Sequence, residues 1–318
     1  MTDTTTSAFN ASISQLVADV AGRSKPDAHV IVFANEKGGV GKSTLAFHCA
    51  VALANAGAEV LAIDLDARQR SLATALENRR GTNTCLSAGL RCPRFTVVEK
   101  QSSAMLVHEM MRLGTDARFI LIDCPGSDTP ATRRALAMAD TIVTPLNASF
   151  VDLQQLARFS PVSFEVRSGG PFGSLVAAIQ EERQQQGVGT ADWVLLKNRV
   201  RDSEVRQQER VDLALERVAS AFSARIASGL AERVGYRELF VFGLTHPDIR
   251  RIPQLGSRRL RETREIDRML AELRLPPMGV IHMRGDKARA KVGSDTRENY
   301  LHAIRTHVDP QPRRASVR

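Results

Sequence analysis

The apolar positions fall into two patterns that alternate along the chain. Short runs rich in β-branched residues have the length of buried strands, and longer stretches repeat their apolar positions with the period of a helix. His29 to Ala34, containing Val30, Ile31, Val32 and Phe33, reads as the first strand, and Leu45 to Ala54, apolar on all sides, as a helix packed on a sheet. Gly57 ends that helix, and Glu59 to Ile63 is the next strand. The alternation continues with a helix at Leu72 to Arg79, a strand at Phe95 to Val98 and a helix near Ala104 to Leu113. Phe119 to Ile122 and Thr141 to Pro145 are strands flanking a helix at Ala131 to Met138. Beyond them lie a helix at Ser174 to Gln186, a strand at Trp193 to Leu196, a long amphipathic helix from Ser203 to Phe222 and a helix from Leu260 to Leu273. Strands alternating with helices predict an α/β fold with a doubly wound, mostly parallel sheet, in a single domain from 28 to 277 that Pro276-Pro277 closes.

Two tails flank that domain. Residues 1–27 read as a flexible extension that opens with a Thr/Ser-rich stretch, then places Phe9, Ile13, Leu16, Val17 and Val20 on one helical face, a short helix to dock on a partner or, the favoured reading, on the main domain. Residues 278–318 read as a basic, flexible tail. The net charge of +9 is concentrated there, with nine Lys/Arg against four Asp/Glu from Arg284 to Arg318. Such a patch suits DNA phosphates or anionic lipid.

Overall composition is that of a soluble globular protein, with 43% hydrophobic and 25% charged residues. The four cysteines show neither C-x-x-C nor metal spacing, and Cys49 and Cys124 sit in apolar runs as small core residues. With no run of eighteen apolar residues and no signal core, the expected location is the cytosol.

Candidate chemistry is concentrated between the first strand and the first core helix, in Asn35-Glu36-Lys37-Gly38-Gly39-Val40-Gly41-Lys42-Ser43-Thr44. A glycine-rich turn entering a helix N-terminus aims backbone N–H groups at an anion, which fits a phosphate-binding loop. Lys42 would reach the β- and γ-phosphates, and the Ser43 hydroxyl would take a Mg²⁺ position. The general pattern wants glycine where Glu36 stands; the variant here is K-G-G-x-G-K-[ST]. Its six fixed positions recur by chance about once in ten million windows, so a nucleotide-binding loop is the reading. Two strand ends support it. Asp64-Leu65-Asp66-Ala67-Arg68-Gln69 falls where open α/β sheets place ligand-binding residues. Phe119-Ile120-Leu121-Ile122-Asp123-Cys124-Pro125-Gly126 is a Walker B-like end, with Asp123 for the Mg²⁺ shell and Gly126 for backbone approach to the γ-phosphate.

With these motifs in place the chain resembles the deviant Walker A ATPases of the ParA/MinD group, and within it the MipZ family of division-plane positioning ATPases. The narrower likeness lies in E-N-R-R from Glu77, T-P-L-N-A-S-F-V-D from Thr144, D-W-V-L-L-K-N-R from Asp192 and R-V-G-Y-R-E-L-F-V-F-G-L-T from Arg233. The resemblance spans residues 29 to 275 and implies a P-loop NTPase fold of the deviant Walker A type. It implies ATP and Mg²⁺ as cofactors, and an ATP-bound homodimer in which Lys37 reaches the partner's phosphates. By the same likeness Lys37, Lys42 and Asp66 are catalytic, with Asp66 positioning the attacking water. Ser43, Asp64 and Asp123 belong to the metal shell, and Asn198 reads adenine. Slow hydrolysis would act as a timer.

The implied partners are a ParB-like centromere-binding protein, FtsZ and non-specific DNA, and the implied location is on the nucleoid and at the poles. Lys197, Arg199, Arg201, Arg206 and Arg210 stand where a DNA surface would be expected and carry no base-reading motif. Both tails depart from the family. In the second, Tyr300, Leu301, Ile304 and Val308 share a helical face. That stripe is too short for stable membrane attachment, so disorder or extra DNA affinity is the expectation. The competing reading is a ParA-like partitioning ATPase without action on FtsZ. A metabolic relative bridging an iron–sulfur cluster is excluded, because Cys124 directly follows Asp123 and no cysteine comes after it.

Overall fold

A computed structural model describes residues 2–147, 149–160, 162–198, 205–231, 234–252, 255, 261–277 and 293–308. The chain begins with helix α1 (Thr2–Ala21), then β1 (His29–Phe33), α2 (Lys42–Asn55), β2 (Val60–Asp64), α3 (Ser71–Leu86), β3 (Arg94–Val97) and α4 (Ser103–Leu113). It continues through β4 (Phe119–Asp123), α5 (Pro130–Met138), β5 (Thr141–Asn147), α6 (Phe150–Leu156), β6 (Ala157–Phe159), β7 (Val166–Gly169) and α7 (Pro171–Gln185). The last elements are β8 (Asp192–Asn198), α8 (Val205–Ala221), β9 (Arg225–Ser228), α9 (Val234–Val241), α10 (His246–Ile249), α11 (Arg261–Glu272) and α12 (Ser294–Val308).

Seven strands form one sheet in the order β3-β2-β4-β1-β5-β8-β9, with every pairing parallel. β1 and β4 pair from His29↔Phe119 to Phe33↔Asp123, and β2 and β4 from Val60↔Phe119 to Asp64↔Asp123. That register brings the carboxylates of Asp64 and Asp123 to one edge of the sheet, level with the end of β1.

Side chains alternate across a pleated sheet, so each strand feeds two cores. Val30, Val32, Ile120, Ile122 and Leu195 face the layer containing α1, α5 and α7, while Ile31, Phe33, Leu121, Val143 and Leu196 face α2, α3 and α11. Strands buried on both faces read as continuous apolar runs, which is why they were legible in the sequence.

The N-terminal stripe docks on the domain. Ile13 and Val17 are buried in the first core, Ser14 Oγ donates to Glu182 at 2.8 Å, and Asp19 pairs with Arg134 at 2.5 Å. The tail expectation needs correction over residues 294–308. They form α12, with Leu301 and Ile304 buried against Leu86, Leu239, Leu244 and Ile249. The Tyr300 hydroxyl lies 2.7 Å from Thr82 Oγ1. The apolar stripe that resembled a surface-binding helix spends itself on the domain's own third core. Residues 278–292 and 309–318 lie outside the described residues. Among those described, no helix is long and apolar enough to cross a membrane.

Three further differences concern boundaries. α3 runs past Gly81 to Leu86, because Leu76, Arg79, Thr82 and Leu86 are all buried against α9 and α12. Of the apolar residues Phe240 to Leu244, the first two end helix α9 and the other three leave it, and the two-stranded hairpin β6–β7 and the edge strand β9 carried no clear periodic signal.

Candidate nucleotide-binding site

The loop between β1 and α2 is held from several sides. Asn35 Nδ2 donates to the Pro145 carbonyl at 2.8 Å, and its Oδ1 accepts from the Lys37 N–H at 3.0 Å. Gly41 is the N-cap of α2 at φ 94° and ψ 20°, and a side chain there would meet Asn198 Nδ2 at 2.4 Å. Only glycine fits a left-handed position that crowded. α2 starts with no side-chain cap and no acidic residue in its first turn. The unpaired N–H groups of its first turn and the helix dipole therefore face the loop, ready for an anion. Lys42 lies at that helix start, with Nζ donating to the Lys37 carbonyl at 2.9 Å; burial draws its pKa down against the attraction of Asp123.

Asp123, at the end of β4, is buried, and its Oδ1 has no hydrogen-bond partner among the described residues. Burial pushes the carboxyl up to about 8, with repulsion from Asp64 adding to it and the Ser43 hydroxyl and Lys42 opposing it. A buried acid with an orphaned oxygen beside a serine hydroxyl is a hard-oxygen donor pair that fits Mg²⁺. Asp64 differs. Its Oδ1 accepts from the Asp66 N–H at 2.9 Å and its Oδ2 from the Ala73 N–H at 3.1 Å, so the carboxylate shapes the turn from β2 into α3.

In that turn Asp66 Oδ1 accepts from the Gln69 N–H at 3.0 Å, and Arg70, the N-cap of α3, takes φ 49°. A non-glycine residue there is strained, and strain at a ligand cleft is a recurrent feature of functional loops. The turn faces a cavity of about 660 Å³. Gly38, Gly39, Gly41, Lys42, Ser43, Thr44, Asp66 and Gly126 line it, as the sequence led one to expect. A Cβ at Gly126 would lie 3.3 Å from the Gly38 amide nitrogen, so the two loops touch through glycine.

The other residues singled out do not line the cavity. Val40 is fully buried. Asn198 Nδ2 donates to the Val40 carbonyl at 2.8 Å and its Oδ1 accepts from the Leu230 N–H at 3.2 Å, so both ends of its amide brace the loop from behind. The Lys37 ammonium pairs with Asp152, which also accepts from Asn147 N–H at 2.8 Å and Ser149 Oγ at 3.0 Å and is fully buried. Asp152 was missed as an individual residue, although T-P-L-N-A-S-F-V-D ends on it. Arg68, Gln69, Gln101 and Phe240 also line the cavity. Arg68 and Gln69 were within reach of the sequence, being two and three residues past Asp66. Gln101 and Phe240 were not, because they arrive from β3–α4 and α9.

Phe240 reaches the rim through a set of contacts between motifs distant in sequence. Its ring meets Phe47 of α2 edge-on at 5.2 Å. Asn78 Nδ2 donates to the Val241 carbonyl at 2.9 Å, Thr82 Oγ1 to the Phe242 carbonyl at 2.7 Å and Arg79 Nη1 to the Gly243 carbonyl at 3.0 Å. E-N-R-R and R-E-L-F-V-F-G thus form one seam.

The expected DNA surface is only partly within the described residues. Lys197 pairs with Asp212 at 2.7 Å, and the Arg210 guanidinium lies 5.6 Å from the centre of the Phe164 ring. Arg199 and Arg201 lie outside the described residues, as does the side chain of Arg206.

A parallel sheet with K-G-G-x-G-K-S between β1 and α2, and aspartates ending β2 and β4, defines a P-loop NTPase fold of the MinD/ParA type. The family is narrower than that. Residues 29–277 match the model described as ATPase MipZ, and the chain belongs to this family. It is 32% identical over 158 residues to the chromosome-partitioning ATPase Soj of Thermus thermophilus, covering 44% of this chain and 63% of that protein. It is 28% identical over 170 residues to the chromosome partitioning protein ParA of Caulobacter vibrioides, covering 43% and 63%. The matched region spans about three fifths of the length of these curated relatives. Apo McdA from Cyanothece superposes with a TM-score of 0.53 at 17% identity, covering 77% of this chain and 99% of that one, which is a likeness of fold. Helices α1 and α12 both lie outside the family match.

Proposed function

We propose that the chain is an ATP-dependent dimerising switch whose output is a protein state rather than a chemical product. It belongs to a family of partitioning and septum-positioning ATPases, and an ATP complex is known for an McdA variant of the same fold. The observation that carries the reading is where Lys37 rests. Lys42 lines the cavity at the phosphate loop, while Lys37 sits beside it on Asp152, outside the cavity lining. A cation held outside its own subunit's cavity, on Asp152, is placed to exchange that partner for a second subunit's triphosphate. Closing two triphosphates face to face brings like charges together, and a lysine from each side offsets that repulsion.

In this reading Ser43 and Asp123, with Asp64 behind them, would hold Mg²⁺, which would supply charge neutralisation at the phosphates. Asp66 orients the attacking water, and slow turnover returns dimer to monomer. The dimer rests on DNA non-specifically, engages a ParB-like protein and inhibits FtsZ assembly, which places it on the nucleoid and at the poles. The family match supports the FtsZ output over the ParA-like alternative, which shares the switch and DNA binding and lacks that output.

Light scattering tests the switch. Lys37→Ala should bind ATP and stay monomeric, whereas a dimer with ATP removes the trans role. Asp66→Ala should hold the dimer while losing turnover. Sedimentation of FtsZ with the protein in ATP and ADP states tests the output: polymer reduced only in the ATP state supports it, and unchanged polymer in both favours the partitioning reading. Changing Arg199, Arg206 and Arg210 together to Ala should weaken binding to any DNA sequence and flatten its salt dependence.

A further inference from the structure

We infer that Arg68 is a second phosphate-binding cation of the nucleotide site, lining the same cavity as Lys42. The inference rests on the nucleotide-binding reading above and adds a residue to it.

Four arginines lie on the turn into α3 and along its length, and three of them are occupied. Arg79 is fully buried on Asp248. Arg70 pairs with Glu77 at 3.5 Å. Arg80 lies 4.4 Å over the Phe95 ring. Arg68 is exposed, has no ion-pair or hydrogen-bond partner among the described residues, and lines the cavity. Its surroundings hold it there. Asp64 accepts from Asp66 and Ala73, Asp66 accepts from Gln69, the Arg70 N–H donates to the Asp66 carbonyl at 2.7 Å, and Arg70 takes the strained φ of 49°. A turn fastened at these points, at the cost of a left-handed arginine, presents positions 66 and 68 to the same cavity.

Charge gives the reason for a cation at 68. Asp66 contributes a carboxylate to the cavity that must take a polyanion, and Lys42 is the other cation lining it. A polyphosphate between Lys42 and Asp66 would face repulsion from one wall. A guanidinium two residues along that wall offsets the carboxylate, and its planar fork of donors matches phosphate oxygens. The exposed, unpartnered side chain contributes nothing visible to the fold, so a role in ligand binding can be separated from a role in stability.

The test measures direct binding of fluorescent ATP and ADP, with Mg²⁺, to the full chain and to Arg68→Gln, together with the thermal midpoint of each apo protein. Lys42→Ala serves as the reference for a lost cradle. The expected result is about tenfold weaker binding of both nucleotides by Arg68→Gln, a shallower salt dependence than the parent's, and an unchanged midpoint. A loss greater for ATP than for ADP also supports the contact and places it on the terminal phosphate. Binding within twofold of the parent overturns the inference, as does weaker binding accompanied by a lowered midpoint, which would make Arg68 a structural residue of the turn. Failure of the parent chain itself to bind either nucleotide would refute the nucleotide-binding reading instead.

Discussion

Two buried ionic clusters lie near α3, one beside its start and one at its middle, and they are built on different terms. At the seam with α9 and α10, Arg79 and Asp248 are both fully buried and joined by two hydrogen bonds of 2.6 and 3.0 Å. Arg79 also donates to the carbonyls of Arg91 and Gly243, and Asp248 accepts from the N–H and hydroxyl of Thr245. Burial raises the Asp248 pKa, but Arg79 and Thr245 outweigh it and hold the carboxyl below its ordinary value. At the nucleotide cleft Asp123 has an orphaned oxygen and a pKa driven up to about 8. A satisfied cluster stabilises a fold. An unsatisfied one keeps affinity in reserve for something that arrives, in the proposed function a metal-bound nucleotide.

The contrast can be broken most forcefully at the seam. Asp248→Ala leaves the Arg79 charge buried without its partner and should cost about 3–5 kcal/mol in chemical denaturation. Nucleotide affinity of the protein that remains folded should change little. A mild effect would mean that the seam relaxes or hydrates.

A pH experiment probes the region between the clusters, where His48 packs edge-on against Tyr236 at 5.2 Å and Tyr236 against His246 at 4.8 Å. His48 Nδ1 donates to the Thr44 carbonyl at 2.8 Å, and burial lowers its pKa from 6.5 to about 4. The unfolded chain therefore takes up this proton near 6.5, whereas the folded chain resists until about 4. Stability contributed by neutral His48 is present above the upper value and is lost as pH falls through the window, by roughly 3 kcal/mol in total. Denaturation midpoints of His48→Phe should lose that part of the acid dependence. An identical pH profile would show that His48 is hydrated.

A smaller effect is expected where α12 meets the seam. Tyr300→Phe removes the contact with Thr82 and should cost about 1 kcal/mol, measured as a shift in the same denaturation curve. No shift would imply that α12 is docked by Leu301 and Ile304 alone.

The smallest expected change in stability is the most informative. Asp123→Asn replaces a carboxyl whose ionisation burial already resists with a neutral amide of the same shape, so apo stability should stay within about 1 kcal/mol of the parent or rise. Mg²⁺-dependent nucleotide binding should fall at the same time. A loss of stability as large as that of Asp248→Ala would place both clusters in the same structural class.

Much of this was readable before any coordinates. The buried strands β1, β4 and β5 are apolar on both faces, so periodicity found them, and K-G-G-V-G-K-S with Asp66 and Gly126 named most of the cavity floor. The β6–β7 hairpin and β9 escaped, because short strands at an edge or outside the main sheet carry little burial signal. Asn198 and Asp64 were assigned by likeness to the ligand side; the bracing hydrogen bonds that each makes within the loops could not be read from the sequence.

The sequence by itself determined the sheet, the position of the glycine-rich loop between β1 and α2, and the placing of Lys42, Ser43, Asp66 and Asp123 at strand ends and the helix start around it. These follow from local pattern, in which period, glycine and charge act within a few residues of one another. The tertiary structure alone decided which charges are satisfied. Arg79 and Asp248 are 169 positions apart and Lys37 and Asp152 are 115 apart, and no local pattern pairs them. It also decided that α12 covers the domain's own apolar surface, and that Arg68, among the arginines of its stretch, faces the cavity without a partner. Hydrogen-bond satisfaction is a property of the packed chain, because it depends on which groups the fold brings within three ångströms of each other and shields from water.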